Sequence, residues 1–145
     1  MKGAMTDPTK RQEPIPEIPP EGSSDSRAWA VGAHLSPWVI GFLGPLFIWL
    51  AKKEDPYVEY HARGALNYQL SLMLYAFGWI LIGTTAFVAL AVFGAGVVAG
   101  IVFGLGFLAF IYLAFVPPIM GAIKASNGQI YRYPATIRFV RAPGL

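Results

Sequence analysis

The feature that most constrains this chain is a run of 60 residues, from Gly64 to Ile123, without a single lysine, arginine, aspartate or glutamate. About 20 apolar residues are enough to cross a bilayer as an α-helix, so this run is long enough for two crossings. A chain of 145 residues is too small to bury so much apolar surface inside itself. We therefore predict an all-α integral membrane protein whose first partner is the lipid bilayer.

Prolines, glycines and charged residues divide the chain into a tail and three predicted transmembrane helices. Residues 1–26 are polar and proline-rich, which predicts a disordered tail. Residues 27–145 are predicted to form a single transmembrane helical domain that ends in a short basic tail. The helices are expected at about 28–51, 56–93 and 97–126. Pro37 and Pro45 each remove a backbone hydrogen bond, so the first helix is expected to be kinked or broken, with a re-entrant segment as the alternative to a full span.

The distribution of basic residues predicts the orientation. The loop after the first helix and the C-terminal tail together carry seven lysine and arginine residues, whereas the turn at 94–96 carries none. Because cytoplasmic loops of membrane proteins are enriched in these residues, we expect loop 52–63 and the C-terminus to be cytoplasmic. The side of the N-terminus depends on whether residues 28–51 span the membrane, and the sequence leaves it open.

Polar side chains follow one face of the second predicted helix into the hydrophobic run. Glu59, Arg63, Asn67 and Ser71 are spaced by four residues and therefore share a face, and Glu59 and Arg63 can form an ion pair. An unpartnered amide facing lipid would cost a few kcal/mol, so this face must contact protein or water. Two interpretations remain. The first is a hydrogen bond within the membrane that is made by the side chain of Asn67 or Gln69. Its candidate partners are the side chains of His34 and Ser36 and the carbonyls freed by Pro45 or Pro117. The second is a polar vestibule at the mouth of a conduit. The candidate polar face consists of Glu59, Arg63, Asn67, Gln69, Ser71 and His34.

His34 is the other ionisable residue in an apolar segment, and a hydrogen-bonded packing role is the favoured interpretation. His61 lies 27 positions away and, if the first helix spans, on the opposite side of the membrane, so no metal site is expected. The absence of cysteine excludes disulfides and thiolate chemistry. The membrane segments contain no nucleophile–base pairing and no acidic pair, so we expect neither catalysis nor a cofactor. The net charge is +3, and the basic residues lie beside hydrophobic segments, which indicates a role in membrane topology rather than nucleic-acid binding.

Small residues begin the third predicted helix. Gly96, Gly100 and Gly104 form a GxxxGxxxG pattern, and small residues let helix backbones approach closely in lipid. This candidate packing face is expected to contact either the second helix of the same chain or a second copy or partner protein. The pattern alone leaves both alternatives open.

Three stretches carry a resemblance to a known family: HLSPWVIGFLGPLFIWLAKK, HARGALNYQLSLMLY and IMGAIKASNGQIYRYPATIRFV. Over residues 28–140 the chain resembles a widespread prokaryotic family of small membrane proteins of unknown function, which is grouped with the Tic-twenty-type component of chloroplast protein import. The resemblance implies a multi-pass protein of the prokaryotic plasma membrane and supplies no catalytic motif. Its plastid members look like parts of a protein-conducting complex with four membrane segments, whereas three are predicted here.

The resulting main hypothesis is a non-enzymatic accessory or scaffolding subunit that packs with partner membrane proteins or with itself. The alternative is a component of a transport or protein-translocation conduit, as the resemblance to the plastid import family would imply.

Overall fold

The computed structural model describes residues 21–141, and all regular structure in that range is helical. The prediction of an all-α protein is confirmed. The elements are α1 (Ser24–Leu35), α2 (Pro37–Ile40), α3 (Leu43–Ala51), α4 (Pro56–Gly78), a π-helical turn (Trp79–Gly83), α5 (Thr84–Val92) and α6 (Gly96–Ser126). Residues 1–20 of the predicted disordered tail lie outside the described residues, whereas residues 24–26, also assigned to that tail, form the first turn of α1.

Local signals set the ends of the long helices. The Asp55 carboxylate accepts hydrogen bonds from the backbone N–H groups of Tyr57 and Val58, at 3.0 and 3.1 Å, and Pro56 occupies the first helical position. The chain turns between α5 and α6 at Gly94, whose φ of 79° is one that residues with a side chain rarely adopt. The predicted bounds of the second and third helices therefore agree with the structure to within one residue.

The first apolar segment is a helical hairpin and not a single helix. Gly41 adopts a φ of 61° and reverses the chain, so that α3 returns alongside α1. At the other end of the hairpin, the Ser26 hydroxyl donates to the Asp55 carboxylate and Lys52 lies 3.9 Å from Asp25. Both ends of the segment therefore lie at the same level, and the predicted span over residues 28–51 is not confirmed. We call residues 24–51 the α1–α3 hairpin.

The break lies next to one of the two predicted prolines. Pro37, which has no N–H to donate, begins α2 directly after α1 ends. Pro45 lies in the first turn of α3, where its missing N–H has no intrahelical partner to lose. At the closed end Gly44 packs against Ser36 so tightly that any side chain at position 44 would overlap it. The predicted kink at Pro45 is not confirmed.

Two helices are long and apolar enough to cross a membrane. They are Pro56–Val92, with 37 residues and a mean hydropathy of 1.9, and Gly96–Ser126, with 31 residues and a mean hydropathy of 2.5. At about 1.5 Å per residue they extend roughly 55 and 46 Å, more than the roughly 30 Å of a hydrocarbon core. They are antiparallel and pack through aromatic–glycine contacts. The Trp79 ring stacks on Phe103 at 5.4 Å and lies against Gly106, while Phe103 lies against Gly83.

Burial is confined to one end of these two helices. In α4 the buried side chains run from Tyr57 to Leu72, and in α6 they run from Pro117 to Ala125. Between residues 73 and 115 only Ala99 is buried. The packed end, which we call the cap, comprises the α1–α3 hairpin, residues 56–72, residues 116–128 and the C-terminal tail 129–141. The remaining residues 73–115, which we call the membrane hairpin, present apolar side chains on nearly every side.

Candidate functional site

The predicted polar face of α4 binds the C-terminal tail of the same chain. The Asn67 side chain forms two hydrogen bonds with the peptide groups of Val140: Nδ2 donates to the carbonyl at 2.9 Å, and Oδ1 accepts from the N–H at 2.7 Å. One turn further, the Ser71 hydroxyl accepts from the N–H of Ile137 at 2.9 Å and donates to the Asn67 carbonyl at 2.7 Å. These contacts hold the tail through its backbone and not through its side chains.

Tyr75 extends this row by another turn, since its hydroxyl donates to the Ala135 carbonyl at 2.7 Å. Residues 67, 71 and 75 are spaced by four and therefore share one face of α4. We call these three residues the tail clamp. The inference that this face contacts protein agrees with the structure, but the partner is an irregular tail and not a neighbouring helix.

The other predicted members of the polar face have separate roles. Arg63 Nε lies 2.8 Å from the Glu59 carboxylate, which is the predicted i, i+4 ion pair, and the Trp49 indole N–H donates to the same carboxylate at 3.2 Å. Gln69 is half-buried, and its side chain makes no hydrogen bond to any residue in the range 21–141. Tyr75 was not predicted, because a tyrosine in an apolar run is equally typical of packing.

A buried histidine pair forms the centre of the cap. His34 Nε2 lies 2.9 Å from His61 Nδ1, and His34 Nδ1 lies 2.6 Å from the hydroxyl of Tyr133 in the tail. The exposed fraction of the two histidines is 0% and 1%. The expectation that they lie on opposite sides of the membrane was wrong, because the α1–α3 hairpin returns to the side from which it starts.

The electrostatics of the cap fix the direction of these hydrogen bonds. Desolvation, with the nearby His61, lowers the pKa of His34 from 6.5 to about 3, so its ring is neutral at pH 7. Desolvation, with Tyr131 and Tyr68, raises the pKa of Tyr133 above its ordinary value, so its phenol keeps the proton. Tyr133 therefore donates to His34 Nδ1, which places the His34 proton on Nε2 and directs it to His61 Nδ1. Within the described chain, His61 Nε2 is buried without a hydrogen-bond partner.

A glycine in α6 leaves room for the histidine pair to lie against the helix backbone. A Cβ atom at Gly121 of α6 would lie only 2.7 Å from His34 Nδ1. Glycine at position 121 therefore lets the imidazole lie directly against the α6 backbone. The Tyr133 ring is in turn stacked on Tyr68 of α4, with ring centres 4.2 Å apart. The histidine pair thus joins α1, α4, α6 and the tail in one contact network.

Two unpredicted side chains satisfy the carbonyls that the double proline leaves free. Pro117 and Pro118 lack N–H groups, so the carbonyls of Leu113 and Ala114 lose their helical partners. The Tyr68 hydroxyl donates to the Leu113 carbonyl at 2.7 Å, and the Trp38 indole N–H donates to the Ala114 carbonyl at 3.2 Å. A carbonyl freed by Pro117 was one of the alternative partners predicted for Asn67 or Gln69. The freed carbonyls were the available signal, but the sequence does not show which donor reaches them.

The predicted glycine face is divided between two environments. A Cβ atom at Gly96 would lie 3.5 Å from Ala91, and one at Gly100 would lie 3.8 Å from Phe87, so both glycines face α5 of the same chain. A Cβ atom at Gly104 would have no neighbour within 4 Å. The closest helix contacts instead involve Gly83 and Gly106, which do not belong to the predicted pattern. Among residues 21–141 no group of three or more histidine, cysteine or acidic side chains is arranged to hold a metal ion.

Comparison with known proteins identifies the family. Residues 25–140 match the MamF/MmsF family, which is described as the magnetosome magnetite crystal formation protein family. The chain belongs to this family. The matched residues of this MamF/MmsF member begin within α1 and end at Val140, so they include the histidine pair and the tail clamp.

No curated protein and no solved structure matches the chain. The prediction of a small prokaryotic family is confirmed by the MamF/MmsF match. Similarity to the Tic-twenty-type import component is not shown by it and stays a prediction. Together with the two apolar helices, the match indicates a membrane protein of a magnetosome-associated family.

Proposed function

We propose that this MamF/MmsF member is a non-enzymatic membrane subunit that supports magnetite crystal formation by packing with partner membrane proteins or with itself. The observation that carries this proposal is the contrast between the two ends of the molecule. In the cap, the buried polar side chains of His34, Asn67 and Ser71 are used in internal hydrogen bonds. In the membrane hairpin, residues 73–115 leave large apolar side chains exposed on both helices.

The internal use of polar groups argues against a catalytic or conducting role for the predicted polar face. Asn67 and Ser71 bind the tail backbone, and His34 is hydrogen-bonded on both ring nitrogens. A general base needs a free lone pair within reach of a substrate, and a conduit needs polar groups that face water. The tail covers this face, so we favour the scaffolding role over the conduit.

The proposed location is the membrane of a prokaryotic cell, with the cap on the cytoplasmic side. Basic residues of the end of α6 and of the tail belong to the cap, and those of the loop 52–55 lie directly beside it: Lys124, Arg132, Arg138, Arg141, Lys52 and Lys53. The turn at Gly94, at the far end of the membrane hairpin, carries no charge. Because the α1–α3 hairpin returns, the start of α1 belongs to the same side as the tail.

The experiment that tests the scaffolding role is native co-purification in a mild detergent with two matched variants. Gly104→Leu places a large side chain on the outward face of α6, and Gly78→Leu makes the same change on α4, also where a Cβ atom has no neighbour within 4 Å. We expect Gly104→Leu to reduce the recovered assembly and the size of magnetite crystals in host cells. We expect Gly78→Leu to leave both unchanged.

A monomer without co-purifying protein, in wild type and in both variants, would contradict the proposal. For the conduit alternative, the measurement is the reactivity of a Ser71→Cys variant with a membrane-impermeant thiol reagent. Because Ser71 is fully buried under the tail, we expect no reaction. Rapid labelling at this position would restore the conduit interpretation.

A further inference from the structure

The α1–α3 hairpin has an outer face without a partner in the described structure. Val39, Ile40, Leu43, Phe47 and Leu50 are between 50% and 84% exposed. Leu43, Phe47 and Leu50 are spaced by four and three residues, so they form one stripe along α3, and the other two extend it around the closed end. An apolar stripe of this kind marks a surface that is normally covered.

The two ends of the hairpin differ in chemistry. At the open end Lys52 lies over the Trp29 ring at 4.8 Å and Lys53 over the Trp49 ring at 5.5 Å. Tryptophan and lysine together are typical of the headgroup level of a membrane. The closed end, residues 36–43, carries no charged residue. This polarity matches a hairpin that enters the lipid with its closed end first.

The depth of the hairpin matches one leaflet. The 12 residues of α1 extend about 18 Å at about 1.5 Å per residue. A bilayer with its headgroups is about 40–45 Å thick, so one leaflet measures roughly 20–22 Å. The contact between Trp38 and the Ala114 carbonyl shows that the closed end reaches only part of the way along α6. Lipid acyl chains and headgroups of a single leaflet are therefore the occupants that fit the stripe.

The tail adds charge complementarity to this placement. Residues 129–141 contain Arg132, Arg138 and Arg141, all exposed, and no acidic residue. Basic residues next to membrane segments attract anionic headgroups. The cap therefore combines an apolar stripe with a basic rim, as expected for an element that lies within the interface of one leaflet.

With the cap in one leaflet, the protein occupies a different cross-sectional area in each of the two leaflets. Counting residues 21–141, the leaflet that holds the cap contains parts of α1, α3, α4, α6 and the tail, whereas the other leaflet contains only the two helices of the membrane hairpin. Each helix is about 10 Å across, so the protein occupies roughly twice the area in the cap leaflet. We propose that the cap is a one-leaflet wedge, which favours bilayers that are convex on the cap side. This activity is separate from partner packing.

The test uses the full-length chain reconstituted into vesicles of neutral and anionic phospholipids with diameters of about 50 and 400 nm, because interfacial insertion is sensitive to curvature. The chain has no cysteine, so a single Glu54→Cys substitution in the exposed loop reports which side the cap faces. We expect the cap to face outward about twofold more often in the small vesicles, with a higher protein density there. Equal orientation and equal density in both sizes would overturn the proposal.

A double variant assigns the effect to the hairpin. Val39→Asp with Ile40→Asp places two charges at the closed end, where neither side chain packs in the core, and should abolish the preference for small vesicles. Val39→Leu with Ile40→Leu keeps the end apolar and should retain it. Hydrogen exchange of the Val140 amide, which is bound by Asn67, verifies that the cap stays folded in both. An aspartate variant that is folded but still prefers small vesicles would show that the hairpin is not the wedge.

Discussion

Replacing Asn67 by leucine should release the tail from the clamp. Leucine is of similar size and favours a helix, so the substitution removes the amide without breaking α4. Asn67 makes two hydrogen bonds to Val140, at 2.9 and 2.7 Å, and each contributes about 0.5–1.5 kcal/mol net. The expected loss is therefore about 1–3 kcal/mol, which raises the equilibrium constant for tail opening by roughly 5- to 150-fold.

Hydrogen exchange measures this opening directly. The Val140 N–H donates to Asn67 and should exchange faster in the Asn67→Leu variant by the same factor. The Ile137 N–H, which Ser71 holds, should also exchange faster, but by less, because its own acceptor remains. Amides in the middle of α6, whose partners lie within the helix, should keep their rates.

Gln69→Leu is the matched control. It makes the same kind of change two residues further along α4, at a half-buried side chain that has no hydrogen bond among the described residues. Substitutions away from such contacts usually change stability by no more than about 0.5 kcal/mol. If the Val140 amide remains equally protected in Asn67→Leu and Gln69→Leu, the clamp does not hold the tail and the reasoning fails.

Three further predictions concern the cap, and thermal unfolding in detergent measures all of them. Gly121→Ala should destabilise the protein by about 1–3 kcal/mol because its methyl group would overlap the His34 ring, whereas Gly64→Ala, with no neighbour within 4 Å, should stabilise it by about 0.5–1 kcal/mol. Since the pKa of His34 falls from 6.5 to about 3 on folding, the unfolded chain binds the proton more readily. Stability should therefore be constant above about pH 6.5 and fall as the pH is lowered below it, and His34→Gln should weaken this pH dependence. Tyr68→Phe, which leaves the Leu113 carbonyl without its donor, should cost about 1–3 kcal/mol, and an unchanged melting temperature would contradict this assignment.

Local features of the sequence predicted the two long helices well. Asp55 and Pro56 cap and start α4, and glycines at 94 and 128 adopt positive φ values beyond the ends of α5 and α6. These signals act over a few residues, so they can be read without knowing the fold. The length of the charge-free run likewise predicted two candidate spans.

The sequence predicted a re-entrant first segment only as the alternative to a full span, because local signals do not show that the segment returns. Its direction depends on Gly41 and on the close packing of Gly44 against Ser36, and hydrophobic periodicity does not record such contacts. The wrong expectation that His34 and His61 lie on opposite sides of the membrane followed from the predicted span, because a spanning first helix would have separated them.

The sequence predicted that the polar face of α4 needs hydrogen-bond partners, but it did not predict which residues provide them. The cost of an unpaired amide in lipid required that Asn67 meet protein or water, and it meets the tail. The tail contributes backbone groups, which every sequence possesses, so no pattern of side chains could have identified it. The hydrogen bond between Tyr133 and His34 was not predicted either, because it joins side chains that are 99 positions apart in the sequence.

The clamp touches the tail only at peptide groups, and this has a consequence for sequence variation. Exchanging the side chains of Ile137 or Val140 leaves each peptide N–H in place, so related chains are free to vary there without losing the attachment. Proline is the exception, because it has no N–H to offer at either position. We therefore expect natural variants of this segment to be diverse in size and polarity, yet devoid of proline at these two sites.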